Sequence, residues 1–312
     1  MSHEVEQMVY FGEVPWHGLG NLMPETARYN IDECIKLAGL DFTVETRPLY
    51  MADGREVSHR AVVREKDNAV YGVVGPQYTP LQNQEAFDWF QPFLDTKACQ
   101  LHTAGSLFEG KKIWVLAQIN SENSVIVKDD EIAKFVLLSN SHDGTTSVRV
   151  GFTPIRVVCA NTMALAHGHK NSSLIRLRHC VNVKTNLENI REIMDIANQQ
   201  FEATAEQFRL LASKNINAAD LDKYVRKTLD IKEGEISTKS QNILEKVFAK
   251  FTMGNQDVPG VRGTYWAAYN AVNEYLNYVH GRNVDNRINN LWFGQNAAMN
   301  DRALENALQM VS

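Results

Sequence analysis

Between residues 144 and 187 the chain carries six basic residues, Arg149, Arg156, Lys170, Arg176, Arg178 and Lys184, and not one acidic residue. All 37 carboxylate side chains lie outside that stretch: residues 1–143 are net −9, residues 188–312 net −2, and the whole chain −5. Fixed positive charge without a local carboxylate suits a phosphate-bearing partner; the alternative is that acids from elsewhere in the fold meet these cations. Within residues 174–184, Ile175, Leu177, Val181 and Val183 alternate with Arg176, Arg178, Asn182 and Lys184. A strand there sets three cations in one row, with Arg176 and Arg178 about 7 Å apart. Such a row can track a nucleic-acid backbone, and it can equally be the solvated face of an edge strand. His179 falls on the apolar side of this strand, as a core histidine. Arg149 and Arg156 are an odd number of residues apart, so they share a face only if Gly151 or Pro154 introduces a bulge.

Metal chemistry has fewer residues to draw on. His142, Asp143, His167 and His169 are the candidate ligands, His-x-His being able to chelate one ion, but no CxxC or HExxH spacing accompanies them. Asp129-Asp130-Glu131 reads as a charged turn before it reads as a cation site. No GxSxG elbow is present, and Cys159 stands in an apolar run, typical of an inert thiol. Walker-type GxxxxGK[ST] and dinucleotide-type GxGxxG are both missing, which disfavours ATP-driven chemistry. No catalytic residue set and no cofactor is therefore assigned.

Composition bounds the rest. The 312 residues are 44% hydrophobic and 22% charged, an ordinary globular balance that excludes collagen-like and disordered chains. No apolar run approaches the roughly 18 residues of a membrane span, and the start MSHEVEQ is not that of a signal peptide. Four widely spaced cysteines, Cys34, Cys99, Cys159 and Cys180, point to free thiols in a reducing, cytoplasmic setting.

These residues need elements to position them. Residues 1–30 show little periodicity, and a short helix is predicted over 31–39. Strands follow at 42–50, 57–64 and 69–74, the first two joined by the hairpin signal Asp53-Gly54. Phe87, Phe90 and Leu94 predict a helix over 83–94 with an aromatic core face. Further β-rich runs lie at 112–119, 125–127, 134–138, 147–158 and 174–183. From Leu187 the period becomes 3.6, with an apolar stripe to Leu211 and helices at 218–229, 238–252, 262–279 and 301–311. The fold class expected is α+β: a mainly antiparallel sheet with packed helices, then a helical C-terminal region. Two domains are read, a core over 1–186 and a helical region over 187–312 packed on it.

Ordered blocks along the chain resemble the phage/plasmid-like protein family, a mobile-element family of unknown function. They are Pro15-Trp16-His17-Gly18-Leu19-Gly20, Val73-Val74-Gly75-Pro76-Gln77-Tyr78, Ser139-Asn140-Ser141-His142-Asp143-Gly144, Thr153-Pro154-Ile155-Arg156 running on to Thr162, and Gly263-Thr264-Tyr265-Trp266 running on to Val272. The resemblance implies DNA replication, recombination or counter-defence, and it carries over no catalytic residues. The leading reading is a non-enzymatic DNA-metabolism protein that binds single-stranded nucleic acid, an oligomeric annealing protein for instance, with Phe152 or Tyr78 as stacking rings. Two alternatives stay open: a metal-dependent nuclease or nucleotide hydrolase, and a host-directed counter-defence interaction protein.

Overall fold

The computed structural model describes residues 5–12, 20–156, 161–162, 175–189, 194–232, 237–281, 290–291 and 294–312. The first strands and helices are β1 (Val5–Tyr10), β2 (Asn21–Leu22), α1 (Ile31–Leu37), β3 (Val44–Tyr50), β4 (Glu56–Arg64), β5 (Val70–Val74), α2 (Asn83–Asp88) and α3 (Gln91–Asp95). A run of strands follows: β6 (Cys99–Leu107), β7 (Lys112–Ile119), β8 (Ser124–Val127), β9 (Asp130–Ser141), β10 (Val148–Arg156), β11 (Asn161–Thr162) and β12 (Ile175–Leu177). The chain ends in helices α4 (Val183–Asn189), α5 (Met194–Ala212), α6 (Ala218–Leu229), α7 (Thr238–Thr252), α8 (Tyr265–Tyr278) and α9 (Gln295–Val311). This is an α+β fold with mostly antiparallel sheets and a helical C-terminal region.

Two compact units interleave in sequence. The first takes Met1–Ser121, Phe135–Gly151 and Leu174–Asp195; the second takes Glu122–Lys134, Phe152–Ser173 and Ile196–Ser312.

The first unit contains a sheet ordered β10-β9-β7-β6-β1-β2, with β12 also on β10, and a separate meander β3-β4-β5. Strand β7 is buried from Ile113 to Ala117, which explains its continuous apolar run: a central strand covered on both faces needs no alternation. The meander follows the predicted strands closely. Gly72 on β5 lies where a Cβ would stand 2.6 Å from the Asp143 carbonyl oxygen, so only glycine lets this strand cross the 141–146 turn backbone to backbone.

Four local expectations change. The helix over 83–94 is two helices, because Pro92 has no N–H and its ring would clash with the carbonyl four residues back, at Asp88. Residues 5–10 form β1 within a stretch that looked aperiodic. Strand β6 has no counterpart in the sequence reading; Thr103, Gly105 and Ser106 break its apolar pattern, and Gly105 is required because a Cβ there would meet the Gln7 carbonyl and the Trp114 ring. The strand expected over 174–183 stops at Leu177.

The second unit is built around α8, which is buried from Tyr265 to Asn277. Thr264 caps it, accepting from Ala267 N at 3.2 Å. Phe208 on α5 packs on Trp266 and Tyr269, with ring centroids 4.6 and 5.9 Å away. The Trp266 indole N–H donates to the Asp130 carboxylate at 2.7 Å, so the middle acid of the charged turn is a buried partner of the helix core. Helices α6 and α9 are joined by Tyr224 Oη to Ala303 O (3.1 Å) and Asn306 Nδ2 to Thr228 Oγ1 (3.2 Å). No helix among the described residues is long and apolar enough to cross a membrane.

Candidate functional site

The cationic site begins with a register. Strands β10 and β12 pair antiparallel with Val148 opposite Leu177, Arg149 opposite Arg176 and Val150 opposite Ile175. Strand alternation then sorts the residues: Val148 and Val150 are fully buried on one face, while Arg149, half-buried, and Arg176, exposed, share the other. Directly opposed residues bring their Cβ atoms to about 5 Å, and like charges so placed repel. Burial, and then the nearby Arg176 charge, hold the Arg149 guanidinium below its usual pKa. Arg178 follows just past the end of β12 and is exposed. Neither Arg176 nor Arg178 forms an ion pair with a described residue.

The remaining basic residues fall elsewhere. Lys184 is not in the Arg176–Arg178 row: it lies on α4, where it pairs with the Glu85 carboxylate. The physical cause is a competing contact at His179. Its ring stacks on Tyr78 with centroids 4.7 Å apart, and its carbonyl accepts from Thr79 N at 3.3 Å. The chain therefore turns through 179–182, leaving Val181 82% exposed where the alternation had put it inside. Arg156 ends β10, opposite Asn161, and belongs to the second unit, whereas Arg149 belongs to the first; the Arg156 side chain lies outside the described residues. Lys170, His167, His169, Cys159 and the Trp16-His17 block also lie outside them.

His142 and Asp143 sit at a buried polar centre of the first unit. Asn83, in the first turn of α2, donates to the carbonyls of Leu40 (2.9 Å) and Phe42 (3.3 Å). Its Oδ1 stands 2.8 Å from His142 Nε2, and because Oδ1 only accepts, Nε2 carries the ring proton. The imidazole is fully buried between Tyr71, stacked at 6.1 Å, and Phe42, edge-on at 6.0 Å. Burial first, and then the nearby His179, push its pKa down to about 3 despite the Asp143 charge. Beside it, Asn140 Nδ2 donates to Leu81 O (2.9 Å), Tyr78 Oη donates to Ser141 O (3.1 Å), and the Asp143 carboxylate accepts from Thr145 N (2.9 Å), Thr145 Oγ1 (2.6 Å) and Ser141 Oγ. Burial alone would raise the Asp143 carboxyl; those hydrogen bonds and the Lys112 charge outweigh it and hold it below the ordinary range. His179 has no hydrogen bond of good geometry at either ring nitrogen, and burial holds it below its usual pKa against the pull of the Thr79 and Thr146 backbone and the Asp143 charge.

What this centre can do follows from its geometry. His142 Nε2 is committed to Asn83, and Asp143 ties its own turn. Among the described residues no three His, Cys, Asp or Glu side chains gather as a metal would need. The expected stacking rings are also engaged: Phe152 is buried edge-on to Phe201 at 5.9 Å, and Tyr78 is stacked on His179. Of the three described free cysteines, Cys34 and Cys99 are buried, and burial pushes both thiols up to about 12.

A second polar feature went unread in the sequence. On α8, Asn270, Asn273, Glu274 and Asn277 fall at i, i+3, i+4 and i+7, one face of a helix, and all are buried. Asn270 Nδ2 donates back to Trp266 O (2.8 Å), and Asn277 Nδ2 to Asn273 O (2.8 Å) and Oδ1 (2.6 Å). Among the described residues, Asn270 Oδ1, Asn273 Nδ2 and Asn277 Oδ1 are left buried without partners, as is Asn300 Oδ1 on α9. Each such atom costs about 1–3 kcal/mol. The polar spacing inside an otherwise apolar helix was visible in Tyr265–Tyr278, but the segment was read only as a helix over 262–279.

No curated protein and no solved structure matches this chain. The family described as Domain of unknown function (DUF932) matches over residues 70–304, about three quarters of the length, and includes the β10–β12 strands, the His142 turn and α8. The chain belongs to the DUF932 family.

Proposed function

We propose that this protein binds single-stranded nucleic acid through the phosphate backbone, as a cytoplasmic, non-enzymatic DNA-metabolism protein of a phage- or plasmid-type mobile element. The observation that carries the reading is the register of β10 on β12, which sets Arg149 opposite Arg176 with exposed Arg178 beyond the strand end, inside a segment without a carboxylate. Exposed Arg176 and Arg178 each present a guanidinium fork to solvent, and a phosphate accepts from such forks in pairs. With Tyr78 and Phe152 engaged internally, backbone charge rather than base stacking supplies the affinity at this site, so binding is indifferent to sequence. Annealing as a homo-oligomer is the activity that sequence-indifferent strand binding would serve.

A gel shift with single-stranded DNA tests this. Wild type binds at low salt and equally in EDTA, which separates the reading from a metal-dependent nuclease. Arg176→Ala combined with Arg178→Ala weakens binding to every sequence and flattens log affinity against log salt by about 0.7 for each lost contact. Both side chains are exposed, so the double variant unfolds within about 0.5 kcal/mol of wild type. Absence of wild-type binding at low salt, or an unchanged salt slope in the variant, overturns the proposal.

A further inference from the structure

Between α1, the start of α2 and the segment leading into β3, the first unit forms a cleft of about 600 Å³, within the range of small-molecule sites. Its floor is apolar: Ile35 on α1, and Leu40 and Phe42 after it, are all buried. Its walls are fixed before anything enters, which spares a ligand the cost of ordering them. Gln82 accepts from Val44 N (3.1 Å) and donates to Val44 O (2.8 Å), and Asn30 Oδ1 caps α1 by accepting from Glu33 N at 3.1 Å. The rim is charged and unbalanced, with Asp32, Glu33 and Asp41 against Lys36. Asp32 and Glu33 each keep one carboxylate oxygen beyond their bonds to Gln84 Nε2 (3.1 Å) and Thr26 Oγ1 (3.0 Å). The Asp41 and Lys36 side chains are exposed and have no hydrogen bond or ion pair with any described residue.

That combination selects its occupant. A phosphate or carboxylate ligand would meet three carboxylates with one lysine, and a bare metal ion would leave the apolar floor unanswered. A neutral apolar ligand would leave the rim acids without a partner. An aliphatic amine satisfies both parts: its ammonium groups pair with rim carboxylates while its methylene stem lies on Ile35, Leu40 and Phe42, as lysine stems lie on apolar surface. Residues 1–143 are net −9, so the surrounding field also favours a cation. We propose that the first unit binds an aliphatic polyamine in this cleft, with ammonium groups on Asp32 and Asp41 and a methylene stem across the floor. The site does not depend on the arginine register, and either can fail without the other.

The test is calorimetric titration of the full chain at low salt with trimethylenediamine, putrescine and cadaverine, which differ by single methylenes, and with magnesium chloride, whose cation matches their charge. The diamines bind with one site per chain, and affinity rises with each added methylene by up to about fourfold, the worth of one buried CH₂. Magnesium at equal concentration does not displace cadaverine. Asp32→Asn combined with Asp41→Asn weakens cadaverine binding about 5- to 20-fold, and Lys36→Gln strengthens it about 2- to 5-fold. All three side chains are exposed, so these variants melt as wild type does. The proposal is overturned if no diamine binds, or if the acid double variant binds as tightly as wild type. It is also overturned if affinity does not rise with stem length or if magnesium displaces cadaverine, since either means diffuse screening of an acidic surface.

Discussion

Both units bury asparagines, but the row on α8 uses them in the opposite way to the first unit, and to Asn296 and Asn306 on α9. In the first unit, Asn83 joins α2 to the carbonyls of Leu40 and Phe42 and to His142, and Asn140 reaches Leu81, so each amide ties segments tens of residues apart. In the second, Asn270 and Asn277 bond within α8 and leave their oxygens unanswered. A buried amide that closes a long-range network specifies the fold, and removing it orphans its partners. A buried amide bonded only along its own helix holds no distant segment in place, so removing it costs the fold little.

The largest expected effect tests the first half of that contrast. Asn83→Ala removes the donor to two carbonyls and the acceptor for the His142 N–H, and it destabilises the chain by about 3–5 kcal/mol in urea unfolding. A loss under about 1 kcal/mol would show that the network is ornamental and would collapse the comparison.

Acid provides the next. The unfolded His142 ring takes a proton near its ordinary pKa of 6.5, whereas the folded one refuses it until about pH 3. Across that window the unfolded state binds more protons, so stability is complete above pH 6.5 and falls as pH falls, by up to about 1.4 kcal/mol per pH unit. His102 in the same unit, pushed down to about 4 by burial and then by Arg28, adds a parallel slope over its narrower window. His142→Gln removes its share, so the difference in urea midpoints between wild type and variant shrinks from pH 7 to pH 4. A pH-independent difference would mean that His142 is hydrated in the folded protein.

The smallest effect sharpens the second half. Asn273→Leu replaces an amide with an orphaned donor by an apolar group of similar volume, and stability changes by no more than about 1 kcal/mol or rises. A loss comparable to that of Asn83→Ala would place the α8 row among the fold-specifying networks.

Much of the architecture was legible, because apolar runs and periodicity are local properties. Helices α6 and α7 stand where the apolar spacing put them, since residues 218–229 and 238–252 keep one period throughout, and strand β7 stands where its continuous apolar run put it. Reading failed where a distant contact outweighed local preference. Alternation through residues 174–184 was genuine, but stacking of His179 on Tyr78, a hundred residues earlier, turned the chain and carried Lys184 onto a helix beside Glu85. Strand β6 was hidden because Gly105 answers to the Gln7 backbone and the Trp114 ring rather than to strand propensity.

The candidate site divides along the same line. Sequence alone determined that residues 144–187 carry only basic charge, since charge follows from residue type, and that residues 262–279 form a helix, since their spacing has the helical period. It also determined the amide spacing at 270, 273 and 277, because helical period follows from sequence separation. Only the tertiary structure decided that Arg149 faces Arg176, that Asn83 Oδ1 accepts from His142 Nε2, and that the α8 amides are buried without partners among the described residues. Each of those depends on the pairing or packing of segments far apart in the chain, and neither residue type nor local spacing encodes which distant group will arrive.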